Sequence, residues 1–316
     1  MIGEGMRKDC LEIVNISKTY KKGAVLANCN LSTSFYPNQI VALIGHNGAG
    51  KTTLLNQICG NTQPDNGDIV YKGISLKTNP KLARNLVSIM PQFHAPLSGV
   101  SLRQSIESIL YIRGIRAKEA KLRLGKIIAD LDIMRWKNDS GEKLSGGLQR
   151  LTSFAMAVVA PTPIILLDEP TNDVDPVRRK LIWKKMRELA QKGHILIVVT
   201  HNLLEVEQYA DRYIMLDKGK IVQDIRIKES KTKSKISTLS ITMPKGCMLE
   251  TYPEAIEIKY CEDESQILFT LSLQQVANAV EWVLNMINLG KVIRYRLETE
   301  TLDTLYGGLI NGSFRE

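Results

Sequence analysis

At 316 residues, with 44% apolar content and a formal net charge of +9 at pH 7, the chain is long enough for one large domain and a smaller one. No run approaches the roughly 18–20 consecutive apolar residues of a transmembrane helix, and Met1-Ile2-Gly3-Glu4-Gly5 lacks the hydrophobic core of a signal peptide. Five dispersed cysteines (Cys10, Cys29, Cys59, Cys247, Cys261) have no paired metal spacing, which suits a reducing compartment better than a disulfide framework. The basic balance admits an anionic partner (nucleotide, nucleic acid or acidic membrane face) or a plain solvated surface.

Leu11 to Ile16 reads as a strand, followed by a polar loop, Ser17 to Gly23, that carries Tyr20. Ala24 to Phe35 reads as two short strands with a break near Asn28 to Asn30, and Pro37-Asn38 as a turn. The apolar run Ile40-Val41-Ala42-Leu43-Ile44 then leads into Gly45-His46-Asn47-Gly48-Ala49-Gly50-Lys51-Thr52-Thr53, and a helix follows from Leu54. Strand, glycine loop and helix in that order match the phosphate-loop pattern. Glycines let the backbone curl so that successive N–H groups face phosphate oxygens. The helix adds its positive N-terminal end. Lys51 is expected to reach the β- and γ-phosphates, and the Thr52 hydroxyl to bind Mg²⁺.

Asp68 to Tyr71 and Leu86 to Met90 read as strands, the second ending at Pro91-Gln92. From Ser101 to Ile133 the apolar period is helical, a helical insert between core strands whose basic residues form a solvated or a contacting face. Leu144-Ser145-Gly146-Gly147-Leu148-Gln149 opens another helix with Ser145 at the N-cap. Ile164 to Leu167 suits a strand buried on both faces and ends in Asp168-Glu169-Pro170. Val177 to Gln191 is helical, and Ile195 to Val199 is a buried strand that delivers Thr200-His201-Asn202. A short helix from Leu204 to Tyr209 and a strand from Tyr213 to Leu216 complete a core whose motifs all precede Gln223. Arg226 to Lys235 reads as a basic linker. Beyond it, strands at 237–242, 267–271 and 292–297 and an amphipathic helix from Leu273 to Asn288 suggest a small α+β appendage.

The order of these motifs carries chemistry. Asp168 is placed to hold Mg²⁺, directly or through water, and Glu169 to polarise the attacking water. Ser145, Gly146 and Gly147 offer a second phosphate-binding helix N-terminus. His201 is placed to hydrogen-bond the γ-phosphate.

With these residues in order, the chain over about residues 10–225 resembles the ATP-binding subunit of an ABC (ATP-binding cassette) transporter. The resemblance implies an α/β fold: a P-loop NTPase core with an N-terminal antiparallel β subdomain and a helical insert, plus a small C-terminal α+β domain. The domain plan is an ATP-binding domain at 1–228 with its helical subdomain at about 95–160, a basic linker at 229–236 and an accessory domain at 237–316. It also implies site roles. Tyr20 resembles the aromatic that stacks on adenine, and Gly45, His46, Asn47, Gly48, Ala49, Gly50, Lys51, Thr52 and Thr53 the Walker A loop. Gln92 resembles the Q-loop residue that senses Mg²⁺ and the membrane partner, and Leu144 to Gln149 the signature motif. Asp168 resembles the Walker B carboxylate, Glu169 the catalytic carboxylate, Asp175 the D-loop and His201 the switch histidine. Catalysis thus falls to Lys51, Gln92, Glu169 and His201, and metal binding to Thr52, Gln92 and Asp168.

The implied cofactors are ATP and Mg²⁺. The implied partners are a second ATP-binding subunit, identical or not, and a separate transmembrane permease. That places the chain in the cytoplasm, peripheral on the inner face of the cell membrane. No nucleic-acid partner is expected; the alternative function is a soluble ABC-type ATPase acting on nucleic acid or ribosomes. One residue departs from the pattern: Asp173 stands where related sequences often carry Gly, beside the expected dimer seam. The appendage, with Arg113-Gly114-Ile115 and Leu302-Asp303-Thr304-Leu305-Tyr306, resembles ATPases that serve ABC-2-type exporters.

Overall fold

The computed structural model describes residues 9–20, 25–92, 99–227, 237–244, 246–247, 249–261 and 265–299. The chain divides into two compact units, 1–226 and 227–316. Among the described residues no helix is long and apolar enough to cross a membrane.

The first unit is built on a six-stranded sheet. Its strands are β3 (Ile40–Ile44), β6 (Val87–Met90), β7 (Ile164–Asp168), β8 (Ile195–Val199), β9 (Arg212–Asp217) and β10 (Lys220–Arg226). They lie in the order β10-β9-β3-β8-β7-β6, all parallel except β10 against β9. Every residue of β3, β7 and β8 is buried. Unbroken apolar runs such as Ile-Leu-Ile-Val-Val are what a parallel strand covered on both faces requires. Because β3, β7 and β8 run parallel, residues 45–50, 168–169 and 200–201 emerge at the same edge of the sheet, where α/β sheets bind ligands.

A second, antiparallel sheet has the order β2-β1-β4-β5, from β1 (Leu11–Tyr20), β2 (Val25–Phe35), β4 (Asn66–Tyr71) and β5 (Ile74–Ser75). The expected break in β2 is absent. Asn28 and Asn30 lie within one strand whose register against β1 shifts between Ile16 and Lys18. Asn30 is in the left-handed region at φ 49°, and its N–H donates to Ser17 Oγ at 3.0 Å. A β-bulge takes up the irregularity that the two asparagines announce, so the strand continues.

Helices α1 (Lys51–Ile58), α2 (Pro80–Leu86), α3 (Leu102–Ile112), α4 (Ala117–Asp130), α5 (Gly146–Val158), α6 (Pro176–Gln191) and α7 (Leu203–Tyr209) complete the unit. The expected helical run over 101–133 is two helices, divided at Gly114, whose φ of 73° no helix interior adopts. Ser101 and Gln104 form a capping box at the start of α3. α2, β5 and β10 were not expected from the sequence. β10 also corrects the extent of the core: a chain ended after Gln223 would lose Asp224, whose carboxylate accepts from the Arg212 guanidinium.

Among the described residues, the second unit is a four-stranded antiparallel sheet in the order β12-β13-β11-β14, with a helix of 16 residues. β11 (Ser237–Thr242), β12 (Glu257–Tyr260), β13 (Gln266–Leu271), α8 (Leu273–Asn288) and β14 (Arg294–Thr299) bury Leu239, Ile241, Ile267, Phe269, Leu271, Ala279 and Val283 in one core. β12 was not expected, and β14 begins two residues later than the sequence suggests. Linker residues 228–236 and the segment Leu302 to Tyr306 lie outside the described residues.

Candidate functional site

The loop between β3 and α1 is shaped by what it touches. Gly45 has φ 148°, and a Cβ there would meet the Leu216 carbonyl oxygen at 2.3 Å. Gly50 has φ 102°, and its Cβ would meet the Ala27 carbonyl oxygen at 2.2 Å. Only glycine fits either place, because β9 and β2 press on the loop from behind. Asn28, fully buried in β2, donates its Nδ2 to the Gly50 carbonyl at 3.2 Å. His46 Nε2 lies 2.8 Å from Asp217 Oδ1 at the end of β9. Asn47 and Gly48 are exposed, Ala49 is buried, and Thr53 is half-buried on α1. Gly50 caps α1 with no side chain, so the N–H groups of the first turn face the loop without a built-in anion.

Lys51 lies inside this curl. Its Nζ donates to the carbonyls of Gly45 at 2.6 Å and His46 at 2.9 Å. Burial pushes its pKa down, against the pull of Glu169 and Asp168. Thr52 Oγ1 donates to Asp168 Oδ2 at 3.3 Å. Glu169 sits at φ 53° just past β7, and its N–H donates to the Val199 carbonyl at 2.9 Å. Its Oε1 lies 3.0 Å from His201 Nδ1, and the His201 ring is 68% exposed. Lys51, Thr52, Asp168, Glu169 and His201 therefore form one cluster, drawn from the ends of three parallel strands.

The Asp168 carboxyl is pushed up to about 6, first by burial and then by neighbouring Glu169. Two carboxylates beside one ammonium leave the site short of positive charge. Asp168 and the Thr52 hydroxyl are hard oxygen donors, which fit Mg²⁺, an ion usually held by one or two carboxylates plus phosphate oxygens. The raised pKa also makes stability depend on pH. The folded state keeps this proton to higher pH than the unfolded chain, so folding is penalised above about pH 6 and the penalty fades toward about pH 4. Asp168→Asn removes it. The metal-free variant is expected to gain at most about 3 kcal/mol at neutral pH and nothing near pH 4. Denaturant unfolding with a chelator across that range reads the gap; a gap independent of pH contradicts the penalty.

Among the described residues, no hydrogen bond joins the other candidate residues to this cluster. Tyr20, at the end of β1, is 39% exposed. Gln92 is exposed, and its carbonyl accepts from Arg150 Nη1 of α5 at 2.8 Å. Ser145 and Gly146 are exposed at the start of α5, where Ser145 Oγ accepts from the Leu148 N–H at 3.4 Å. A Cβ on Gly147 would meet the Asp173 carbonyl oxygen at 2.5 Å. Asp173 itself has φ 58°, which explains why glycine suits this position. Asp175 caps α6, accepting from the N–H groups of Val177 and Arg178. Asn28 and Arg150 were missed as site residues. Each is a buried polar side chain, and its partner is a backbone carbonyl of a motif residue, Gly50 or Gln92, far from it in the chain.

The sequence matches the ABC transporter family over residues 29–172. It is 30% identical over 225 residues to the Nod factor export ATP-binding protein I of Rhizobium etli, covering 71% of this chain and 70% of that protein. It is 31% identical over 209 residues to the retinal-specific phospholipid-transporting ATPase ABCA4 of Mus musculus, covering 66% of this chain but only 9% of that protein. The fold is that of the solved dimer of the ATP-binding cassette MJ0796 bound to ADP and Pi, with a TM-score of 0.63, 24% identity and coverage of 69% of this chain and 98% of that one.

Proposed function

This chain belongs to the ABC transporter family, as an ABC-type ATPase, and from that premise we propose that it is the motor subunit of an exporter. In this reading it binds MgATP, pairs with a second ATP-binding subunit across the nucleotide, hydrolyses it and drives a separate transmembrane subunit. The observation that carries the reading is the incompleteness of the site. The phosphate loop, Asp168, Glu169 and His201 are gathered together, while Ser145 and Gly146 stand exposed at another helix start. A second chain is what would bring such glycine N–H groups onto the γ-phosphate.

Each residue then has a part. Loop amides and Lys51 hold the β- and γ-phosphates, and Tyr20 stacks on the adenine. Thr52 and Asp168, with Gln92, hold Mg²⁺, which neutralises phosphate charge when bound. Glu169 orients and polarises the attacking water. His201, already against Glu169, turns toward the γ-phosphate. Carriage of this work to a membrane subunit is supported by a cleft of about 940 Å³ between β6 and the helical insert, lined by Arg84, Ile89, Ser105, Ile112, Gln149 and Met156. It opens beside Pro91, one residue from Gln92, so a docked segment would bear on the Q-loop. Export is supported by the Nod factor export relative. The placement follows from the partner: the inner face of the cell membrane.

Fractionation of source cells tests this against the reading in which the +9 charge serves nucleic acid or ribosomes. The chain is expected with the membranes, leaving them in detergent together with a multi-helix protein. Recovery with ribosomes, or release by nuclease, would favour the other reading.

A further inference from the structure

A side chain outside these motifs joins the two loops that carry Glu169 and His201. Glu205 lies on α7, four residues after His201, and its side chain is 12% exposed. Three donors from two other segments converge on its carboxylate. Thr171 Oγ1 donates to Oε2 at 2.8 Å, and Trp183 Nε1 donates to the same oxygen at 2.8 Å. Arg179 Nη1 reaches Oε1 at 3.5 Å. Thr171 and Trp183 are buried. Arg179 also donates its Nε to the Val174 carbonyl at 2.6 Å, so the turn from 171 to 174 is held at both ends.

We propose that Glu205 is a positioning residue that clamps α7 to the turn after Glu169, and so sets the Glu169–His201 distance. Glu169 and His201 leave the sheet on different strands, β7 and β8. Glu169 is the first residue past β7 and His201 the second past β8, and Glu205 grips the far end of each loop: Thr171 is two residues past Glu169, and α7 begins two residues past His201. Asn202 Oδ1 accepts from the Glu205 N–H at 3.2 Å, tying the grip to the residue beside the histidine. Charge-assisted bonds to one carboxylate hold direction as well as distance. Without the carboxylate, two buried donors lose their acceptor and the two loops move independently.

The inference rests on the reading that Glu169 and His201 serve hydrolysis, and the experiment separates the two. Steady-state turnover and equilibrium nucleotide binding are measured on the full chain for Glu205→Gln, Thr171→Val, His201→Ala and the Glu205→Gln/His201→Ala double variant. Glu205→Gln and Thr171→Val are expected to lower kcat by about 10–100-fold. Nucleotide Kd is expected to stay within about twofold, a split that loss of fold would not give. The double variant is expected to turn over no more slowly than His201→Ala alone, because the clamp acts through the histidine. Wild-type kcat in Glu205→Gln and Thr171→Val beside an impaired His201→Ala overturns the clamp alone. Losses that multiply in the double variant, or kcat and Kd failing together in both single variants, also overturn it. Wild-type kcat in His201→Ala overturns the reading of the site, and the clamp with it.

Discussion

Glu169→Gln is expected to lower ATP turnover by about 10²–10⁴-fold, the usual share of general-base catalysis, while leaving MgATP bound. The variant keeps the size of the side chain and its place beside His201 Nδ1, 3.0 Å away. It removes the charge that, on the proposed function, polarises water. Lys51, Thr52, Asp168 and the loop amides are untouched, so the phosphates keep their partners. One secondary effect follows from the electrostatics. After burial, the Glu169 charge is what raises the Asp168 carboxyl, so its neutralisation moves that carboxyl back toward the ordinary range and makes it a better cation ligand. Single-turnover hydrolysis with a parallel nucleotide-binding titration checks both parts. Turnover at the wild-type rate would assign the base to another residue.

Lys51→Ala acts at the opposite end of the reaction, on binding. The ammonium rests on the carbonyls of Gly45 and His46, an arrangement that keeps a half-buried cation hydrogen-bonded until phosphate oxygens replace them. Removing it takes away a charge-assisted bond worth about 1.5–3 kcal/mol, or about a 10–100-fold rise in nucleotide Kd. It also leaves Asp168 and Glu169 without their neighbouring cation. Equilibrium titration with a fluorescent ATP analogue and Mg²⁺ reads the affinity, and circular dichroism the fold. Unchanged affinity together with unchanged turnover would remove the phosphate-loop assignment.

The parts of this site that were legible in the sequence are those whose chemistry demands a residue type at a fixed spacing. A curled loop needs Gly45 and Gly50, a cation needs Lys51, and buried parallel strands lead into Asp168 and His201. What stayed hidden depends on partners far apart in the chain. That Gly45 must avoid Leu216, and Gly50 must avoid Ala27, is visible only once β9 and β2 lie behind the loop. Glu205 reads as one more polar residue on a short helix, since its partners Thr171 and Trp183 precede it by 34 and 22 positions. Local signals also misled where a tertiary contact replaced a lost backbone bond. Asn28 and Asn30 announce a strand break, yet Ser17 satisfies the Asn30 N–H and the strand runs on. β10 alternates exposed and half-buried residues, too weak a pattern to separate from the basic stretch that follows. Its place is set by Arg212, whose side chain is only 12% exposed against Asp224.

The mass of Glu169→Gln in solution tests the central claim, that the site is one half of a nucleotide sandwich. The chain is 35.4 kDa. Light scattering behind a sizing column should give that mass without nucleotide and twice it at saturating MgATP, because unhydrolysed ATP holds the pair closed. Adding Ser145→Arg places a bulky cation at the exposed start of α5 and should return the mass to the monomer while nucleotide still binds. A monomer of Glu169→Gln at saturating MgATP, or a dimer that Ser145→Arg does not disturb, would contradict it.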